Sequence, residues 1–258
     1  MSLSADALTA LLSAWLWPFF RIAALVSAAP VFGGAYVPPR VRLALAAALA
    51  LVVAPLVAAP AVDPLSAAGG LLVAEQVLVG LLLGLGLRLA LVVFDLAGQV
   101  IAQTMGLGFA SMVDPASGTQ VPVVSQLYLI LATLVIVSID GHLLMLRLVA
   151  ESFQALPVGA STPVPLASWD LVRGAAWVFA AGAVMALPAV TAMLVVNLAF
   201  GVMTRAAPQL NVFAVGFPIT LLTGLVVILL TLQGSLADVG AVLDHALGLS
   251  ATLLGESP

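Results

Sequence analysis

The sequence predicts an all-α integral membrane protein of about six apolar helical blocks. Three observations carry that reading. Hydrophobic residues make up 64% of the 258-residue chain and charged residues 7%. Mean hydropathy is +1.28. Lysine is absent, which leaves seven arginines as the only basic residues besides two histidines. A soluble domain cannot cover its surface with so few charges. The net charge of −4 is spread without acidic or basic blocks, so no nucleic-acid partner is expected. The lack of cysteine excludes disulfides, thiol catalysis and thiolate metal sites.

Taken in order, the first block covers residues 6–29 and is interrupted by Pro18 and Arg21. Asp6 comes before the first arginine, so no basic signal-peptide start is present and the block is expected to be retained. Trp15 and Trp17 fit an interfacial belt or packing against a neighbour. Residues 30–40 form a connection rich in turn formers, closed by Arg40 and Arg42. Residues 43–62 carry no charge and suffice to cross about 30 Å of hydrocarbon. Asp63-Pro64 then predicts an N-cap followed by proline at the first helical position.

The third block, residues 65–95, contains Glu75 and Arg88, with Gly80 and Gly84 four apart. Small residues at that spacing let helices approach closely in lipid, so Gly80 and Gly84 mark a packing face. A central Gly/Pro-rich loop is predicted over about 98–122, where Asp114, Pro115 and Gly118 specify a turn. Irregular backbone survives at membrane depth only inside protein or facing a water-filled passage. The fourth block, residues 123–153, carries Asp140, His142, Arg147 and Glu151. A Pro/Gly/Ser/Thr connection follows at 157–165, and Ser168 or Asp170 could cap the fifth block, 173–205, which holds Pro188. A connection at 206–218 containing Asn211 leads to a sixth block ending near Asp238, and the tail is mildly amphipathic.

Charges inside apolar blocks cost about 2.5–3.5 kcal/mol each at a bilayer centre on insertion scales. For Arg21, Glu75, Arg88, Asp95, Asp140, Arg147 and Glu151, pairing between helices or a place beyond the hydrocarbon is expected over a solute or proton pathway, and His142 is a further candidate internal polar contact. Arg147 and Glu151 are spaced for a simple helix pair. Asn197 and Asn211 suit hydrogen bonds to neighbouring helices. Met105 and Met112 read as gap-fillers or as a deformable seal. Arg40 and Arg42 favour a cytoplasmic first connection, while the later arginines do not agree on a topology. Asp140 and His142 lie on different helix faces, and no metalloprotease, phosphate-loop or nucleophile-elbow motif occurs. No enzymatic activity, metal or cofactor is expected.

Several fragments together resemble the FliR family of flagellar biosynthetic proteins and its type III secretion counterparts. They are Arg21 with Ala29-Pro-Val-Phe-Gly33, Val37-Pro38 and Arg42, then Glu75-Gln-Val-Leu-Val-Gly80 with Gly84 and Ala97-Gly98. Most specific is Gln103-Thr-Met-Gly-Leu-Gly-Phe-Ala110 with Val113-Asp-Pro115 and Pro122. Asp140-Gly-His142, Ser152-Phe-Gln-Ala-Leu-Pro157 and Ala207-Pro-Gln-Leu-Asn-Val-Phe213 with Gly216 and Pro218 follow in order. Asp140 stands where the family usually has Asn.

The resemblance implies one export-gate domain over 1–258 in the bacterial inner membrane, at the flagellar basal body. Broken helical hairpins would be built into a helical assembly with FliP-like and FliQ-like subunits, with an FlhB-like subunit around its cytoplasmic side. Unfolded flagellar subunits would pass through the pore. Met105, Gly106, Gly108, Phe109, Met112, Asp114, Pro115, Gly118 and Pro122 would belong to a loop that plugs the closed pore. The alternative is a stand-alone secondary transporter or channel using Glu75, Asp95 and Asp140 as coupling sites.

Overall fold

The structure, a computed structural model, describes residues 5–34, 36–58, 60, 62–108, 123–159, 164–207 and 216–254. Among them eight α-helices form and no strand does: α1 (Ala5–Ala28), α2 (Pro39–Val53), α3 (Ala67–Thr104), α4 (Val123–Ser138), α5 (Gly141–Ala155), α6 (Val164–Ala206), α7 (Phe217–Ala237) and α8 (Val239–Leu253). Four stretches are long and apolar enough to cross a membrane: Pro39–Leu56, Ala67–Thr104, Val172–Ala206 and Phe217–Ala237. The bent pair α4 and α5 makes a fifth if counted as one broken span. Near-uniform apolarity suits both helix formation and lipid, because a spanning segment must satisfy its own backbone groups.

The helix ends show why eight helices replace six blocks. The fourth block breaks at Asp140, whose φ of 57° is left-handed. Its carbonyl accepts from the Leu143 and Leu144 amides at 2.8 and 3.4 Å, starting α5 in a new direction. Asp and Asn tolerate this conformation better than other non-glycine residues. The left-handed position suits the Asp that precedes Gly141-His142 and would equally suit Asn. The tail forms α8, in which Val239, Val242, Leu243 and Ala246 are buried at helical spacing.

Several boundaries differ from the sequence expectation: α2 covers Pro39–Val53 where the sequence predicts residues 43–62, and α6 starts at Val164, so Ser168 and Asp170 lie inside it and do not cap it. Asp63 does not cap α3; its carboxylate accepts from the Leu65 amide at 3.0 Å in a local turn. Ser66 takes the capping role, accepting from the Gly69 amide at 3.0 Å. The helix also runs through Gly98 to Thr104, so the predicted loop starts later than its polar composition indicated. Gly98 is tolerated because Ser125 of α4 packs directly on it, where a Cβ would lie 2.5 Å from the Ser125 Cα.

The chain divides into two compact units, each discontinuous in sequence: residues 1–89, 137–175 and 243–258, and residues 90–136 and 176–242. The first has Trp17, Ile22, Leu25, Leu83, Leu87 and Met145 in its core, and the second has Phe94, Ile101, Tyr128, Ala186 and Met193.

Position 140 gives a direct test of this fold. Asp140→Asn is expected to leave thermal unfolding in detergent unchanged. Asp140→Val, which places a β-branched side chain at positive φ, is expected to destabilise by about 1–3 kcal/mol.

Candidate functional site

The first unit is pinned by Arg21, which is 0% exposed in α1. Its Nε donates to Gln76 Oε1 of α3 at 2.8 Å. Nη1 donates to the Ser152 carbonyl at 2.8 Å and to Ser152 Oγ at 3.2 Å. Nη2 donates to the Leu156 carbonyl at 2.8 Å. The guanidinium lies 4.2 Å from the Phe153 ring centroid. Ser152 and Leu156 are in the last turn and C-cap of α5. The Ser152 carbonyl also accepts from the Leu156 amide at 2.9 Å, and the carbonyls at this end carry the negative end of the helix dipole, so they attract a cation. Glu75, half-buried one residue before Gln76, adds a favourable charge. Ser152 Oγ passes the chain of bonds on by donating to the Val149 carbonyl at 2.7 Å.

Gly80 and Gly84 allow this contact to form. They follow Gln76 at intervals of four on α3. A Cβ on Gly80 would collide with the Arg21 carbonyl and lie 2.9 Å from Ala24 Cβ. A Cβ on Gly84 would lie 2.7 Å from Ala28 Cβ and 2.9 Å from the Leu25 carbonyl. Both fall below ordinary van der Waals separation, so α1 and α3 approach this closely only with hydrogen at these two positions.

In the second unit the start of the central segment is firmly built. Gly106 has φ 82° and follows the end of α3. Its amide donates to the Gln103 carbonyl and the Leu107 amide to the Ala102 carbonyl, each at 3.1 Å. This pair of bonds is a Schellman cap, and the left-handed position explains the glycine. Met105 is 1% exposed, and Gly224 of α7 makes room for it: a Cβ there would lie 2.5 Å from the Met105 Cε. Gly108 sits under the Gln103 side chain. Phe109, Met112, Asp114, Pro115, Gly118, Pro122 and Asn211 lie outside the described residues.

The remaining polar residues are scattered. The Ser125 hydroxyl donates to Asp95, as does Gln99 Nε2 at 3.1 Å. Asn197 donates to the Thr104 carbonyl at 3.1 Å. Arg147 and Glu151 form their expected pair at 2.7 Å, with side chains 75% and 44% exposed, where such a pair contributes little to stability. Asp140 is exposed, whereas His142 is half-buried and its Nδ1 lacks a partner among the described residues. Arg88 is exposed on α3. No group of three or more His, Asp or Glu among the described residues could hold a metal ion.

A family model described as "Bacterial export proteins, family 1" matches residues 12–246. The chain belongs to this family. The chain is also similar to several flagellar biosynthetic proteins FliR. It is 42% identical to that of Pectobacterium carotovorum subsp. carotovorum, over 83% of this chain and 82% of the relative. Identity to the Escherichia coli (strain K12) protein is 37%, again over 83% and 82%. Identity to the Bacillus subtilis (strain 168) protein is 30%, over 86% and 87%. Arg21, Gln76 and Ser152-Phe153 all fall inside the matched region. Arg21 was legible from sequence as an internal charge, but its acceptors Gln76 and Ser152 were not. The available signal was that all three lie in the fragments carrying the family resemblance.

Two substitutions probe this construction. Gly84→Leu is expected to force α1 away from α3 and destabilise by about 1–3 kcal/mol through overpacking. Arg21→Ala would remove the donor from four acceptors and is expected to cost about 3 kcal/mol or more. Both effects are read as lowered thermal unfolding temperatures in detergent.

Proposed function

We propose that the chain is a subunit of the flagellar type III protein export gate in the bacterial inner membrane, at the flagellar basal body. The observation that carries this is membership in an export family along nearly the whole chain. The FliR relatives add the flagellar assignment. The chain crosses four times between its two units, which supports one export-gate domain over 1–258. Its role is structural: helices that pack and line a route, with no reacting group. Its partners are FliP-like and FliQ-like subunits, with an FlhB-like subunit on the cytoplasmic side, and unfolded flagellar subunits are the cargo. A strain lacking the gene is expected to lose swimming in soft agar and to release no filament protein. Normal release would overturn the reading.

The central segment is the seal in this proposal. A pore wide enough for an unfolded chain must not leak ions when idle. The Schellman cap at Gly106 and the burial of Met105 anchor the start of the segment. Phe109 and Met112 are soft apolar groups, and Asp114-Pro115 with Gly118 favours a turn. Deleting residues 106–118 is expected to leave the partner complex assembled and to let small ions through, read as lost membrane potential. An assembled deletion complex with ordinary ion conductance would show that the seal lies elsewhere.

Dependence on partners gives a second test. The chain made alone is expected to aggregate or be degraded, and co-expression of the FliP-like and FliQ-like subunits should rescue it. A monodisperse, protease-resistant monomer in mild detergent would argue against shared assembly.

A further inference from the structure

We infer that the exposed face of α3 around Arg88 docks an apolar helix of a different protein chain, which places a carboxylate opposite Arg88. This deepens the export-gate reading and rests on it for the existence of a membrane assembly. Leu71, Ala74, Leu78, Leu81, Leu85 and Arg88 follow one another at alternating intervals of three and four. That spacing keeps all six on one stripe of the helix. Leu71, Leu78 and Leu85 are 74%, 48% and 43% exposed, and Arg88 is exposed at the end of the row. The opposite side, with Gln76, Gly80, Leu83, Gly84 and Leu87, is buried.

Arg88 makes no hydrogen bond or ion pair with any described residue. A guanidinium keeps its charge, so at this place it needs an anionic or strongly polar partner. Three sources could provide one. Lipid phosphate is reached by arginines at the membrane interface, where Trp, Tyr and further basic residues gather. Arg88 is the sole basic residue of α3, the helix has no Trp or Tyr, and apolar sequence continues beyond it as Leu89-Ala-Leu-Val-Val-Phe94. A second copy packing the same stripe would bring Arg88 against leucines and another Arg88, because the row contains no carboxylate. A different chain with one Asp or Glu in an apolar helix satisfies both the stripe and the charge.

The test uses the full chain in native membranes with its natural neighbours present and a photoreactive phenylalanine at Leu85. The expected product is an adduct with another protein. Arg88→Glu should reduce it by at least about a hundredfold, since like charges would then face each other in a desolvated contact. Reversing one carboxylate of the adduct partner to Arg should restore the product in the Arg88→Glu background, and Arg88→Lys should retain most of it. Arg88→Glu should not lower the thermal unfolding temperature of the purified chain, because Arg88 has no partner among the described residues. Adducts confined to lipid, an adduct with a second copy, insensitivity to Arg88→Glu, or failure of every carboxylate reversal would each overturn the inference. The charge-reversal result with normal filament release in a strain lacking the gene would overturn the export reading and leave this contact standing.

Discussion

A buried guanidinium is the constraint on which the first unit depends. Taking a cation out of water costs several kcal/mol even after the protein relaxes, a cost that hydrogen bonds from its donors offset. Arg21 meets that demand with a side-chain amide from α3, a hydroxyl and two carbonyls from the end of α5, and an aromatic face. None of these acceptors can shift much without leaving a donor bare. The three helices are therefore held at one relative register in a part of the protein where apolar packing alone would tolerate sliding. Gly80 and Gly84 act on the same contact sterically, bringing the α3 backbone near enough for Gln76 to reach.

How much of this was legible beforehand follows from what each feature depends on. The membrane class rests on composition, and the packing role of Gly80 and Gly84 rests on spacing within one helix. Both are local properties that a sequence displays. The break at Asp140 depends on a single residue in a left-handed conformation, within a block whose apolar character does not change. Hydropathy is blind to it. The cap at Ser66 instead of Asp63 is a contest between two good N-cap residues three apart, decided by the turn that Asp63 makes. Arg21 and its acceptors are separated by 55 to 135 positions, so no spacing rule connects them.

The second unit shows a different use of polarity. Asp95 and Ser125 join α3 to α4, and Asn197 reaches from α6 to the last carbonyl of α3. These are single bonds between helices of the kind that supply specificity in lipid, where burial offers no driving force of its own. Among the described residues the buried hydroxyl of Tyr128 in this unit has no such bond.

The length of α3 has a consequence for the life of the protein in the cell. Its 38 residues extend about 57 Å at 1.5 Å per residue, against about 30 Å of hydrocarbon. Fitting all of it into the bilayer would need a tilt beyond the roughly 40° upper range of single helices. Some of its greasy surface must then sit where neither water nor acyl chains suit it, and only other polypeptide can shield it. On the proposed export-gate reading, a newly made copy without its partners would leave that surface uncovered and open to clearance. Cellular abundance would accordingly be limited by the supply of companions more than by its own synthesis, so that surplus copies are cleared and stoichiometry corrects itself without a dedicated regulator.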